Sequence, residues 1–465
     1  PYTMNYTASV IEPLFDMPDI ASMQLWTDTD LTDWLNMYAP SNKTVIKSRE
    51  LPGKIINMEK ITMTKYPIKS RPVLTKICFE EGRSITGRLF SVVNLRTVTP
   101  DPEKILWDVC NAYFKPGWEH NIPHFKNDLL IITPEDVKNW IEENKDCFGV
   151  EKELNDLLAG ELLIKPLNDV NVHLKLESLL KDKHISIMKE QQARIIVWQR
   201  KAVCSLFAKL FVRCKDRLKT LLIDHILYVD GLRPDEISAK LRQISDVFGF
   251  FENDLTKQDR QTDKPILEVE MLMYLMLGVH PNIISSWRSS HDDWRFKSTN
   301  YWGKSTAMRL TGQATTALGN CITNMQVHSK FVIKNKYWLK FALFLGDDMC
   351  MGFSHKPNTQ HLRQDIACKF NMQSKDSWMT NGATFCSMVV YKTNDNVVEL
   401  GPDVVRMKFR YEVTNGVHEA TKENLLMRKA SYLMMLGKTP EVDKLVNDLQ
   451  LPINPVHWYN YHTML

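Results

Sequence analysis

Several features that would assign this chain to a familiar class of protein are missing from its sequence. Its nine cysteines form no Cys-x-x-Cys pair and no short Cys/His cluster, which argues against zinc sites and a disulfide framework. No basic-then-apolar leader is present, and the longest apolar run, near 271–277, is far shorter than the roughly 20 residues of a membrane-spanning helix. We therefore expect a soluble, intracellular protein.

The chain also lacks a charge excess and an internal repeat. Lys and Arg number 59 against 55 Asp and Glu, so the net charge of +4 indicates no nucleic-acid partner by itself. Locally, basic residues outnumber acidic ones by about three to one between His173 and Lys219. The absence of a repeat of about 20 to 50 residues argues against a solenoid. Because the chain begins with Pro1 and not Met, we expect a piece of a longer protein, such as a polyprotein.

Two adjacent acids, Asp347 and Asp348, follow Gly346 between two short apolar runs. This pattern predicts a tight β-hairpin with the acids at its tip. Neighbouring carboxylates repel unless a cation neutralises them, and oxygen ligands without nitrogen or sulfur suit Mg²⁺ or Mn²⁺. The alternative is a turn that binds nothing, since Asp and Gly are common turn residues.

Polar residues at regular spacing form two further candidate elements. Asp254 ends a β-prone stretch and Asp259 lies about one turn later, although a helix N-cap followed by a solvated acid has the same spacing. Gly312, Thr316 and Asn320 lie four residues apart where a glycine turn leads into a predicted helix. One helical face would then present a hydroxyl and an amide to a ligand. The alternative is that this Thr/Asn pair forms its hydrogen bonds with the start of its own helix.

The order of these three elements is informative. Asp-x4-Asp, Gly-x3-Thr-x3-Asn and Gly-Asp-Asp, in that order, resemble motifs A, B and C of viral RNA-dependent RNA polymerases. Thr311 stands where many relatives have Ser, and Gln258 where an aromatic residue is frequent.

Weaker similarities place the chain in the alphavirus-like branch of that superfamily. Gln-Ala-Arg-Ile-Ile at 192–196, with Arg-Lys at 200–201, resembles motif F, the segment 369–375 resembles motif D, and Phe-Cys-Ser at 385–387 resembles motif E. Residues 254–263 and 312–316 are similar to an endornavirus-like lineage. The resemblance spans about 175–403.

The resemblance implies an α+β fold shaped like a right hand, with fingers, a palm built on an antiparallel sheet with helices, and a short helical thumb. The expected segments are an N-terminal extension and fingers at 1–245 (motif F at about 175–201), palm with motif A at 246–275, a fingers insertion at 276–310, palm with motifs B to E at 311–395, and the thumb at 396–465.

The resemblance also implies nucleotidyl transfer with two Mg²⁺ or Mn²⁺ ions. Asp254 and Asp347 would bridge both ions, and Asp348 would help to position the metal or the primer end. Lys375 could protonate the pyrophosphate leaving group as a general acid, although a surface lysine is the alternative.

Nucleotide recognition is expected from polar residues on both sides of these acids. Asp259, Thr316 and Asn320 are suited to reading the ribose 2′-hydroxyl, and the turn at Gly312 permits a close backbone approach. Arg194 is expected to neutralise the triphosphate. Further cations could line a tunnel for template phosphates, or form a solvated helix face instead: Lys175, Lys181, Arg200 and Lys201.

The sequence thus predicts template-directed RNA synthesis that replicates a positive-strand-type RNA genome. Expected partners are the RNA template and product strand, ribonucleoside triphosphates, and helicase and capping domains of a polyprotein. The expected location is the host cytoplasm, in a membrane-associated replication complex.

Three other functions could draw on parts of the same sequence. A metal-dependent nuclease could use the same acids with ligands from 291–293, and a non-catalytic scaffold could bind RNA through the basic region. A P-loop nucleotide site is excluded, because Gly303-Lys304-Ser305 has Ser298 where the motif requires its first glycine.

Overall fold

The computed structural model describes residues 46–48, 70–71, 78–90, 93–145, 167–175, 179–180, 194–306, 308–393 and 395–403. These residues form helices together with largely antiparallel sheets, so the predicted α+β class is confirmed. Of the predicted thumb, 404–465 lies outside the described residues. No helix in the described part of the chain is both long and apolar enough to cross a bilayer.

The secondary structure alternates between short strands and helices along the whole described chain. The strands are β1 (Ile46–Ser48), β2 (Ser70–Arg71), β3 (Asp169–Lys175), β4 (Leu179–Leu180), β5 (Arg194–Gln199), β6 (Ile226–Tyr228), β7 (Gly249–Leu255), β8 (Asp293–Lys297), β9 (Tyr301–Thr306), β10 (Leu339–Leu345), β11 (Asp348–Phe353), β12 (Ser374–Met379), β13 (Gly382–Phe385), β14 (Met388–Lys392) and β15 (Val398–Pro402). The helices are α1 (Cys78–Ile85), α2 (Pro102–Tyr113), α3 (Asn121–Asn127), α4 (Pro134–Asn144), α5 (Lys201–Leu221), α6 (Pro234–Leu241), α7 (Gln258–Gln261), α8 (Lys264–Met276), α9 (Pro281–Ser290), α10 (Thr316–Asn335) and α11 (Leu362–Phe370).

A five-stranded sheet in the order β12-β7-β11-β10-β6 lies at the centre of the molecule. Its neighbours pair antiparallel except for β10 and β6, which run parallel. One face packs on α10, where the ring centroids of Phe251 and Phe331 lie 4.9 Å apart. Because successive side chains of a strand point to opposite faces, every second residue of these strands faces away from α10. At the end of the sheet, the residues on that opposite face can be polar.

Two further sheets, one of five strands and one of three, accompany the central one. The sheet β1-β9-β8-β3-β5 has its own apolar core, which includes Val172, Trp294 and Leu310. The sheet β13-β14-β15 packs against α6, where the Ser238 hydroxyl donates to the Leu400 carbonyl at 3.0 Å. Gly303-Lys304-Ser305 lies within β9, not in a loop that leads into a helix.

Two local elements follow from short-range signals in the sequence. Helix α4 begins at Pro134, and its capping box joins Thr133 and Asp136 through reciprocal hydrogen bonds of 3.0 and 3.2 Å. The segment that contains Asp254 and Asp259 forms strand β7, the short helix α7 and the apolar helix α8 in succession.

Candidate active site

The predicted acidic hairpin is present. Strands β10 and β11 pair antiparallel with Leu345 opposite Asp348, which leaves Gly346 and Asp347 as a two-residue turn. Gly346 has a φ of +58°, as the first central position of a type II′ turn requires, and glycine adopts this angle without steric cost. The turn therefore presents Asp347 at the tip, and both Asp347 and Asp348 are solvent-exposed.

Asp254 lies beside this hairpin because β7 is the next strand of the sheet. Cys350 of β11 pairs with Glu252 of β7, and continuing that register by two residues brings Asp254 opposite Asp348 on the same face. On the other side of β7, Lys375 of β12 pairs directly with Asp254. Three separate chain segments, β7, the β10-β11 hairpin and β12, thus bring three carboxylates and one ammonium to the same end of the sheet.

A cavity of about 550 Å³ opens in front of this end of the sheet. Its acidic wall contains Asp254, Asp259 and Asp347. The cations that line the same cavity are Arg88, Arg194, Lys257, Arg260, Arg309 and Lys375. A cavity lined by both acids and cations can hold a polyanion together with divalent cations.

The carboxylates interact electrostatically. Desolvation within the site, followed by the charges of Asp347 and Asp254, raises the pKa of Asp348 above its usual value. Part of this repulsion is offset by the thiol and backbone N–H of Cys386, which donate hydrogen bonds to Asp348. Cys386 and Ser387 both have positive φ, as in a type I′ turn between β13 and β14.

These residues fit a hard divalent cation. The donors are all carboxylate oxygens, and the mutual repulsion that raises the pKa of Asp348 is what a bound cation would relieve. Within the described ranges, no three His, Cys, Asp or Glu side chains lie close enough together to hold a metal ion without rearrangement.

Asp259 and Asn320 form the second half of the site. The Asn320 amide donates to Asp259 Oδ1 at 2.7 Å, and Gln258 Nε2 donates to the Asn320 carbonyl at 3.0 Å. Burial raises the pKa of Asp259, while the hydrogen bond from Asn320 opposes that rise. Asn320 Oδ1 is buried and accepts no hydrogen bond from the described residues, and Asn320 itself is absent from the lining of the cavity.

Two residues predicted for nucleotide recognition instead stabilise the loop that precedes α10. The Thr316 hydroxyl donates to the Leu310 carbonyl at 2.7 Å and accepts from the Gln313 N–H at 2.9 Å. Gly312 lies against β5, where an added Cβ would come within 2.6 Å of Trp198 Cβ. The close backbone approach that Gly312 permits is thus an approach to β5.

The predicted cations divide into two groups. Arg194 begins β5 and lines the cavity, and Lys175 of β3 is its pairing partner. Arg200 and Lys201 lie at the start of α5, beyond the buried end of β5, and are absent from the lining of the cavity. Lys181 lies outside the described residues.

Sequence reasoning missed Lys257. Its backbone is left-handed, with φ of +52°, an uncommon and strained conformation for a non-glycine residue that is often found at functional sites. Its ammonium donates to the Gly87 carbonyl at 2.7 Å, and desolvation lowers its pKa to about 8. Gly87 and Arg88 belong to a five-residue π-helix, 86–90, which directs Arg88 to the cavity.

Sequence reasoning also missed a buried ion pair behind Asp259. Arg309 and Glu270 are both fully buried and joined by two hydrogen bonds, and Tyr274 donates to Glu270 Oε1 at 2.7 Å. The Arg309 N–H donates to the Asp259 carbonyl at 3.1 Å. The only signal in the sequence was Glu270 itself, one of two acids in a mostly apolar helix, α8.

The ligands considered for a nuclease lie elsewhere. His291 is buried between Trp287 and Gln313, and burial lowers its pKa. Asp292 and Asp293 form ion pairs at 3.2 Å with Lys264 and Lys304. None of the three lines the cavity.

Comparison with known proteins agrees with this site. A profile of the RNA dependent RNA polymerase family matches residues 119–418, which include both acidic strands, and the chain belongs to that family. The prediction of a viral RNA-dependent RNA polymerase is thereby confirmed at the level of the family.

The similar curated proteins are viral. The chain is 22% identical over 318 residues to the Replicase polyprotein 1ab of Beet yellows virus, covering 64% of this chain and 10% of that protein. It is 26% identical over 297 residues to the Replicase polyprotein 1ab of Grapevine leafroll-associated virus 3, covering 62% and 10%. A third relative is the RNA replication protein of Citrus leprosis virus C, 23% identical over 226 residues, covering 47% and 9%. The chain thus spans about a tenth of the length of each relative.

Proposed function

We propose that this chain carries out template-directed RNA synthesis by two-metal nucleotidyl transfer and replicates a positive-strand-type RNA genome. The observation that supports this most directly is the convergence of Asp254 and Asp347 on one cation-lined cavity. Membership of the RNA-dependent RNA polymerase family supports the same reaction. In this proposal the central sheet is the palm, and the β1-β9-β8-β3-β5 sheet belongs to the fingers.

The acids are proposed as metal ligands, with Asp254 and Asp347 shared between two ions and Asp348 third. Mg²⁺ or Mn²⁺, when bound, would lower the pKa of the attacking 3′-hydroxyl and stabilise the leaving pyrophosphate. Asp348 contacts Cys386, so its contribution is to fix the end of β11 as much as to ligate.

The cations are proposed to bind the incoming triphosphate. Arg194 and Lys257 line the same cavity as the acids, where they can pair with phosphate oxygens. Lys375 lies beside Asp254 in the sheet, within the same cavity. When the bond between the α-phosphate and the pyrophosphate breaks, the Lys375 ammonium can transfer its proton to the departing pyrophosphate oxygen.

Asp259 and Asn320 are proposed to recognise the ribose. A 2′-hydroxyl both donates and accepts, and the pair offers the free acceptor Asn320 Oδ1 next to the Asp259 carboxylate. Thr316 contributes by shaping the loop before α10, since its hydroxyl is already used there.

We further propose that the chain works with RNA template and product, ribonucleoside triphosphates, and helicase and capping domains of a polyprotein. The host cytoplasm, in a membrane-associated replication complex, is the proposed location. The names of two relatives, which are replicase polyproteins, support the association with other domains.

The decisive experiment is primer extension on a defined RNA template with Mg²⁺ and ribonucleotides. We expect the wild-type chain to extend the primer and Asp347→Ala to make no product, while RNA affinity stays within about twofold because Asp347 is one side chain of a large surface. Asp292→Ala serves as the matched control, since this exposed acid pairs with Lys264 away from the cavity.

Three results would reject the proposal. Extension by Asp347→Ala at a near-normal rate would remove the metal assignment. A wild-type chain that shortens the primer would indicate a nuclease. A chain that binds RNA and makes no product over a range of Mg²⁺ and Mn²⁺ concentrations would indicate a scaffold.

A further inference from the structure

Asn324 holds the acidic turn from behind. It lies on α10, four residues after Asn320, and is fully buried. Its Nδ2 donates to two backbone carbonyls at once, those of Gly346 and Asp347, each at 3.1 Å. One amide therefore fixes both residues of the turn that carries Asp347 against helix α10.

His328 connects the same helix to the other acidic strand. Its Nδ1 lies 2.8 Å from the Asn324 carbonyl, which can only accept, so Nδ1 carries the hydrogen and Nε2 has a lone pair. Asn253 Nδ2 donates to that lone pair at 2.8 Å. Burial lowers the pKa of His328 to about 4, so the ring is neutral at pH 7, as these bonds require.

Asn253 is the residue immediately before Asp254. Because consecutive side chains of a strand point to opposite faces, Asn253 is directed into the protein while Asp254 faces the cavity. The chain of hydrogen bonds from the Gly346-Asp347 turn through Asn324 and His328 to Asn253 therefore ends directly behind the two proposed metal ligands.

Packing alone does not require these polar groups. Neighbouring positions of α10, such as Cys321 and Met325, are fully buried and apolar, and apolar side chains would fill this space without a need for hydrogen bonds. A buried polar network specifies one arrangement of the elements that it joins. The arrangement joined here is the relative position of β7 and the hairpin.

We propose that Asn324 and His328 are positioning residues that set the separation of Asp254 and Asp347 and thereby the affinity of the site for divalent cations. This inference rests on the proposed two-metal reaction and adds residues that do not touch the metal or the nucleotide. It differs from the proposed role of Asn320, which lies one turn earlier on the same helix and faces the sugar.

The test compares Asn324→Ala with Asn335→Ala. Asn335 is a matched control, because it is also buried on α10 but donates only to the Phe331 carbonyl of its own helix, at 2.8 Å. Two quantities are measured: Mn²⁺ binding without nucleotide, from the electron paramagnetic resonance signal of the free ion, and the Mg²⁺ concentration for half-maximal primer extension.

We expect Asn324→Ala to weaken Mn²⁺ binding and to raise the required Mg²⁺ several-fold, with kcat reduced roughly ten- to a hundredfold by misplacement of the acids. The KM for ribonucleotides and the preference for ribose should change by less than about twofold, since Asn320 is untouched. Asn335→Ala should match the wild type in every one of these quantities. His328→Gln, which keeps a donor and an acceptor, should retain more Mn²⁺ affinity than His328→Leu.

A purely structural role gives a different result. If Asn324→Ala only reduces the folded fraction, its Mn²⁺ and Mg²⁺ curves will coincide with those of the wild type after correction for that fraction, and the proposal is overturned. If Asn324→Ala does not fold, Asn253→Leu decides, because it removes the other end of the chain of bonds and leaves the turn intact. An inactive wild-type chain would reject the proposed function itself, whereas unchanged cation curves in an active chain would reject only this inference.

Discussion

Gly319 gives the sharpest test of the packing behind the ribose site. It lies in the first turn of α10, where an added Cβ would overlap Arg309 Nη1 and come within 2.7 Å of Glu270 Oε1. Both side chains are fully buried and joined to each other, so neither has a flexible end that can swing into solvent. Gly319→Ala must therefore displace the guanidinium from its carboxylate.

The size of the effect follows from two opposing contributions. Replacing glycine by alanine inside a helix stabilises it by up to about 1 kcal/mol. Breaking a buried ion pair and leaving its charges uncompensated costs about 3–5 kcal/mol. The balance is a loss of about 2–4 kcal/mol in the free energy of unfolding, opposite in sign to the effect expected from helix propensity alone.

The assay is thermal or urea unfolding of Gly319→Ala beside the wild type, where we expect a melting temperature lower by several degrees. The same substitution is then made in a chain carrying Arg309→Leu and Glu270→Met, in which an apolar pair replaces the ionic one. There it should cost less than half as much. A Gly319→Ala variant as stable as the wild type, or an equal cost in both backgrounds, would refute the argument.

Two further predictions concern the site and its pH dependence. Asn320→Ala should lower the discrimination between ribo- and deoxyribonucleotides in a competition assay, and unchanged selectivity would remove Asn320 from ribose recognition. Because the pKa of His328 is lowered from 6.5 to about 4, the unfolded chain takes up this proton first as the pH falls. Wild-type stability should therefore decrease by up to roughly 3 kcal/mol between pH 6.5 and 4, and His328→Gln should flatten the decrease. Unfolding curves with equal pH dependence in both proteins would contradict this.

The acidic part of the site could be predicted because its signals are local. A glycine and two acids between apolar runs determine a hairpin within a few residues, so the placement of Asp347 and Asp348 followed from short-range pattern alone. That Asp254 lies beside them could not be derived from spacing. It was expected from the order of the motifs, and the register of β7 and β11 brings it there.

The residues that support the acids from inside the protein could not be predicted, because their signals are not local. Arg309 and Glu270 are 39 positions apart and come together only where the segment before α10 packs against α8. Asn324 and His328 fall on helical positions that sequence patterns assign to core, and their hydrogen bonds depend on the final position of the hairpin. Thr316 differs from these residues, because its spacing predicted a nucleotide-binding residue. In the structure its hydroxyl donates to the nearby Leu310 carbonyl.

Strand β6 has a practical consequence for anyone who wishes to produce a shorter version of this protein. It is an edge strand of the central sheet, and its partner β10 lies more than 100 positions later in the sequence. Leu227 of β6, for example, pairs with Leu343 of β10. Pairings between such distant segments form late, because the intervening chain must first be brought together, and this slows folding and prolongs the exposure of strand edges. An expression fragment cut just before Gly249 would retain every proposed catalytic acid but expose the edge of β10, and aggregation is the expected outcome.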